Sequence, residues 1–192
     1  MLNKKIALGL SLVIASVTTF ALPTTYKIDP AHTATLFSWN HFGFSTPTAN
    51  FSDIQGAINV DDAQPEKSSV NVTIPVSSVN TNVPALDKEF QEAAWFNAAQ
   101  YPNITFKSTR VETKDKKHFK IFGDLMVKGT TKPVVLDAVL NKEGIHPMKK
   151  VPSIGFNATT SFDRSAFGIG NYVPNVSDKI TVNITTEASV DK

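Results

Sequence analysis

Thr35-Leu36-Phe37-Ser38-Trp39-Asn40-His41 sets Thr35, Phe37, Trp39 and His41 on odd positions, with Ser38 and Asn40 between the rings. That is the period of a strand with one buried face and one wetter face. The surrounding stretch, Tyr26 to Val60, reads as two long strands joined at a turn. Gly43, Ser45, Pro47 and Asn50 supply the turn, and Ile54, Ile58 and Val60 resume the apolar spacing. The phase breaks near Gly56, where a missing side chain permits a kink or a close backbone approach. A sheet that bends while one face stays apolar tends to close, around either a packed core or a ligand cavity.

Further along, Val70, Val72, Ile74 and Val76 alternate with Asn71, Thr73 and Pro75, a third strand that Pro75 either ends or confines to an edge. Ala85 to Ala99 is the one convincing helix: Leu86, Phe90 and Ala93/Ala94 recur at helical spacing, with Asp87, Glu89 and Glu92 elsewhere. Alternation then returns around Ile104 and Phe106, from Phe119 to Val127, from Val134 to Leu140, from Ile154 to Phe162 and from Ile180 to Ile184. Eight strands with turns at short intervals and one helix in the middle predict an all-β fold, an antiparallel barrel or sandwich with the helix near one opening.

The 192 residues form one domain behind a targeting segment. Met1 to Lys5 is a short basic head, Ile6 to Val17 an apolar run, and Thr19-Phe20-Ala21 places small residues where a secretory peptidase cuts. Residues 1–21 therefore read as a signal peptide and 22–192 as the barrel. Lys4 and Lys5 are the only charges in 1–21, so the remainder carries 17 basic and 17 acidic side chains. That balance gives no electrostatic reason for a nucleic-acid partner. Cysteine is absent, which excludes thiol catalysis, thiolate metal ligation and an acyl anchor on an N-terminal cysteine. No stable membrane anchor is expected.

Chemistry is sparse. His32, His41, His118 and His146 form no HxH or HxxxH pair, so no metal site is expected. His32 and His41 bracket one strand, each as a structural histidine or as a polar anchor at a cavity mouth. Their odd spacing puts them on opposite faces of a regular strand. No Gly-x-Ser-x-Gly elbow or Gly-rich phosphate loop occurs. Thirteen phenylalanines, many on alternating positions, are more rings than a plain core requires, and suggest a hydrophobic lumen.

Taken in order, several pieces resemble the YceI-like family of secreted, lipocalin-like polyisoprenoid-binding proteins. They are Tyr26-Lys27-Ile28-Asp29-Pro30-Ala31-His32, Phe37…His41-Phe42-Gly43-Phe44-Ser45, Trp95-Phe96-Asn97…Tyr101-Pro102-Asn103, Gly123-Asp124-Leu125-Met126-Val127-Lys128-Gly129 and Arg164…Phe167-Gly168-Ile169-Gly170. The resemblance implies an eight-stranded antiparallel lipocalin-like barrel with a long apolar tunnel that binds isoprenoid chains or quinones without doing chemistry on them. The family often has Arg-Asp-x-His-Leu at the start of its helix. Here the stretch is Leu86-Asp87-Lys88-Glu89-Phe90, which keeps only the Asp and favours a quinone-like ligand over a pyrophosphate.

The expected function is a periplasmic carrier of a long-chain isoprenoid lipid, quinone-like or polyprenyl, with no cofactor beyond that ligand and no catalysis. Expected walls are Phe37, Trp39, Ile58, Val72, Ile74, Trp95, Phe106, Leu125, Phe156 and Phe162, with His41, Asp87 and Arg164 toward the head group. A transient membrane or redox-protein partner and a homodimer stay open. The alternative is a secreted lipid-acting hydrolase or isomerase with His41 or His32 as base. Cleavage after Ala21 predicts a product released by osmotic shock whose intact mass corresponds to a chain starting at Leu22. A membrane-retained product still carrying Met1 would refute the targeting assignment.

Overall fold

A computed structural model of the chain describes residues 22–191. The signal-peptide assignment falls on 1–21, outside the described residues. Ten strand segments make one antiparallel sheet: β1 (Thr24–Ile28), β2 (Ala34–Ser38), β3 (Thr48–Phe51), β4 (Gln55–Val60), β5 (Ser69–Pro75), β6 (Asn103–Thr113), β7 (His118–Val127), β8 (Thr130–Ile145), β9 (Pro152–Asp163) and β10 (Lys179–Ser189). β1 and β2 lie end to end: β10 pairs with β2 through Thr181–Thr185 and with β1 at Ala188 and Ser189. β3 and β4 likewise share one place, facing β2 and β1. The ten segments are therefore eight staves of a closed barrel, and the one α-helix among the described residues, α1 (Pro84–Gln91), lies at one end.

Both broken staves have local causes. Asp29 caps a 3-10 turn over Pro30–His32, accepting from the Ala31 N–H at 3.0 Å, with Pro30 preset for the first turn position. In the neighbouring stave Asp53 is left-handed (φ 54°), and Gly56 follows at φ 151°. A Cβ on Gly56 would stand 2.0 Å from the Asn71 carbonyl oxygen. The backbones of β4 and β5 approach so closely that only glycine fits.

Two expectations are corrected and one open alternative is decided. The first strand is not continuous through His41: β2 stops at Ser38, so His32 sits in the 3-10 turn and His41 in the following loop, not on two faces of one strand. Of the two readings of Pro75, the strand-ending one holds: Pro75 is the last residue of β5, which is interior, paired with β4 and β6. The helix ends at Gln91, because Glu92 turns out of helical conformation (ψ 164°) and the chain folds back. The Phe96 N–H then bonds the Phe90 carbonyl at 2.9 Å, and Trp95 packs 4.9 Å from the Phe90 ring. Burying two rings against Phe90 outweighs two more helical turns.

Alternate hairpins share an end. The 39–47, 76–102 and 164–178 connections and the tight Lys128–Gly129 turn gather at the helix end. At the other end Tyr26, Ile28, Ile154 and Ala188 form a separate buried cluster.

The 29–33 kink is tied to the β8–β9 loop by Lys149, whose Nζ lies 2.5 Å from Asp29 Oδ2. With His32 Nδ1 at 2.9 Å from the same oxygen, these bonds hold the Asp29 carboxyl at about 2 rather than 3.8. A depressed carboxyl pKa stabilises the fold above about pH 4, and that stabilisation disappears as pH falls toward about 2. Asp29→Asn should cost about 1 kcal/mol at neutral pH, allowing for solvent screening. Between about pH 4 and pH 2, thermal melting should fall less steeply for the variant than for wild type. Parallel curves would show that the ion pair does not couple to folding.

Candidate functional site

The inward positions of the staves enclose a cavity of about 690 Å³, within the range of small-molecule sites. Its walls are alternate residues: Phe37 on β2, Ile58 on β4, Val72 and Ile74 on β5, Ile104 and Phe106 on β6, and Leu125 on β7. β9 and β10 contribute Phe156, Phe162, Ile180, Val182 and Ile184. The Phe106 ring lies on Gly123 across the β6–β7 pair, where a Cβ would come within 2.4 Å of the ring. Glycine there lets the ring lie flat against the wall.

At the helix end the lip is aromatic. Phe37, Trp39, Phe51 and Phe90 pack ring against ring with centroids 5.3–6.5 Å apart, and Phe96 meets Phe51 edge-on at 5.5 Å. Phe42, Val83 and Tyr172 line the opening while remaining about half exposed or more. Phe44, beside them in the 39–47 loop, is 92% exposed.

The expected wall residues Phe37, Trp39, Ile58, Val72, Ile74 and Trp95 all line the cavity. So do Phe106, Leu125, Phe156 and Phe162. Of the expected polar residues, His41 and Arg164 reach it and Asp87 does not. His41 lies at the exposed outer lip with its ring edge-on to Phe42. Asp87 Oδ1 accepts from the Thr81 N–H at 2.6 Å and the Thr81 hydroxyl at 2.7 Å, fastening the loop ahead of α1. On α1 the cavity receives Leu86, Glu89 and Phe90, which share one helix face, and Asp87 is turned away from it.

Arg164 lines the cavity, but its donors are engaged. It is 7% exposed. Nε donates to the Ser177 carbonyl at 2.9 Å, Nη1 to Ile169 at 2.7 Å, and Nη2 to Asn171 and Val176 at 2.8 and 2.9 Å. Four of its five N–H groups are thus held by backbone carbonyls of one loop. Trp95 packs against the guanidinium, 5.9 Å from the ring centroid. Burial pulls the guanidinium below its usual pKa, opposed by Asp178. Arg164 therefore shapes the 164–178 loop, and little of it is left to receive an anion.

Glu89, Thr33, Thr35, Thr160 and Thr186 also line the cavity and were not among the expected site residues. Glu89 Oε1 accepts from Trp95 Nε1 at 3.0 Å. It stands at a helix position where the related pattern has histidine, which puts a carboxyl group at the mouth. Spacing could have found it, since Glu89 is three residues from Leu86 and next to Phe90. Phase could have found Thr35 and Thr160, which alternate in step with Phe37 and Phe162. Among the described residues no three His, Cys, Asp or Glu side chains come together to hold a metal ion, and no helix is long and apolar enough to cross a membrane.

The YceI-like domain model matches residues 26–188. Protein YceI of Escherichia coli O157:H7 is 35% identical over 174 residues, covering 90% of each chain. The crystal structure of Burkholderia cenocepacia BcnA superposes with a TM-score of 0.75 at 20% identity, covering 84% of this chain and 99% of that one. A polyisoprenoid binding domain from Saccharophagus degradans superposes at 0.66 with 12% identity, covering 86% and 98%. These two share the barrel.

Replacing Arg164 by Met removes donors from four loop carbonyls at once. The expected cost is about 2–4 kcal/mol in urea unfolding, with faster amide exchange confined to 168–178. A loss below about 0.5 kcal/mol would refute its structural role.

Proposed function

The chain belongs to the YceI-like domain family, and from that premise we propose that it is a secreted binding and carrier protein for a long-chain isoprenoid lipid with a neutral, quinone-like head. The observation that carries this reading is the cavity: about 690 Å³, mostly apolar in its walls, with Glu89 and Arg164 the only Asp, Glu, Lys or Arg in its lining among the described residues. An isoprenoid tail removes apolar surface from water at about 25 cal/mol per Å². Such burial exceeds the ordering cost of a long flexible chain only where the wall is continuous and dry. The alternating walls supply that continuity. A neighbour of the same fold is a polyisoprenoid binding domain, which supports a lipid occupant by analogy of architecture.

The charged groups of the lining support a neutral head, at whichever end of the cavity it sits. A pyrophosphate requires cations free to pair with it, but Arg164 donates to loop carbonyls and Glu89 contributes a carboxyl group. The basic-then-apolar segment ending at Ala21 supports secretion to the periplasm.

Organic extraction of protein purified from a bacterial host, followed by mass spectrometry, should yield a long-chain neutral lipid. Delipidated protein should then bind a long-chain quinone more tightly than an isoprenoid pyrophosphate, with affinity nearly independent of salt. Tighter, salt-sensitive binding of the pyrophosphate would overturn the neutral head. Binding of neither would overturn the lipid reading.

A further inference from the structure

The cavity wall is not uniformly apolar. Along the β9–β10–β2 side the ladder fixes successive inward rows below the mouth. Thr160 pairs with Val182, which pairs with Phe37; next come Ala158, Ile184 and Thr35. Phe156 and Thr186 follow, with Thr33 beside them, its hydroxyl 2.9 Å from that of Thr186. Ile154, Ala188 and Ile28 lie below, in the buried cluster at the far end. Four threonines on three consecutive rows, all lining the cavity, make a hydroxyl track. From Phe37 to Thr33 it descends about 13 Å along the strand.

Thr33 and Thr35 are 6% and 9% exposed. Thr33 and Thr186 bond each other, whereas the side chains of Thr35 and Thr160 have no hydrogen-bond partner among the described residues. No buried polar side-chain atom among the described residues is without both a partner and accessible surface. The Thr35 and Thr160 hydroxyls therefore open onto the cavity. The charged lining groups, Glu89 and Arg164, belong to α1 and the β9–β10 loop at the other end.

A hydroxyl left facing a hydrocarbon in a dry site forfeits roughly 1–3 kcal/mol. An apolar chain lying along this wall would incur that loss at both free hydroxyls. A carbonyl or hydroxyl oxygen would not, since threonine can donate or accept. We propose that the Thr33–Thr35–Thr160–Thr186 track is a second, deep subsite that receives a neutral oxygen function of the ligand inside the barrel, so that the lipid enters oxygen end first with its tail toward the aromatic lip. This rests on the reading of the cavity as a lipid site and narrows the ligand class to long-chain ketones, quinones and alcohols.

The test uses the delipidated protein and two probes: a long-chain isoprenoid alcohol and the hydrocarbon lacking only its hydroxyl. Thr35→Val with Thr160→Val keeps side-chain shape and removes both free hydroxyls; Thr181→Val, on the exposed outer face of β10, is the control. Calorimetry should show the double variant losing about tenfold in alcohol affinity, with the hydrocarbon unchanged or tighter and the control unaffected. Equal changes for both probes, or tighter alcohol binding to the double variant, would overturn the subsite while leaving the lipid reading intact. If neither probe binds wild type, the lipid reading itself fails and the subsite with it. Cooperative melting near the wild-type temperature verifies that the double variant folds. Should it not fold, Thr160→Val alone, at a half-buried position, must lower alcohol affinity relative to hydrocarbon, and equal changes would refute the proposal.

Discussion

β10 hydrogen-bonds two partners in succession along one edge, β2 through Thr181–Thr185 and then β1 at Ala188 and Ser189. That seam closes the barrel, and most of the interior follows from it. A closed ladder leaves no unpaired edge to template association. It also requires the stave facing β10 to change course part-way down, which the Asp29-capped turn accomplishes. The neighbouring stave must bend with it, and at Gly56 the absence of a Cβ lets it do so against Asn71. The kink brings Thr33 beside Thr186, so the device that closes the barrel also sets hydroxyls on its inner wall.

The other end is held open by a different device. Three connections must surround the mouth without filling it, and each is anchored by polar contacts. Asp87 fastens Thr81 ahead of α1, and Arg164 gathers four carbonyls of the β9–β10 loop. The Asn171 side chain donates to the Ala94 carbonyl at 3.1 Å, linking that loop to the helix segment. The Phe42 N–H reaches the Asn175 carbonyl at 2.8 Å. With the loops fixed by these contacts, their aromatic faces are left to the cavity.

Period-two alternation carried most of this into view in the sequence. Phe37, Phe106, Leu125, Phe156 and Phe162 face inward because an odd or even phase, once set, holds along a strand. Eight staves were legible; their division into ten segments was less so, although Asp29 followed by Pro30 is the chemistry of a capped turn. The helix was read too long because Ala93/Ala94 continue the spacing of Leu86 and Phe90, whereas the chain folds back to pack Trp95 and Phe96 against Phe90. Asp87 was placed toward the ligand by its position in a motif, whereas its angle on the helix, one residue past Leu86, takes it off the face that Leu86, Glu89 and Phe90 share. Arg164 was the hardest to read: its four acceptors are backbone carbonyls, which no side-chain pattern reveals.

A hollow of this size bears on stability as well as on binding. Core cavities destabilise by about 24 cal/mol per Å³ when nothing relaxes into them. The walls cannot collapse, because the ladder fixes the radius and rows of rings and branched side chains stand on it. Water offers little relief along an apolar wall, where it finds few of the polar partners it needs. The threonine track is the exception, since a water or a ligand oxygen can be bonded there. A lipid with an apolar tail and one neutral oxygen matches both parts of this interior, completing the hydrophobic core and satisfying its free hydroxyls.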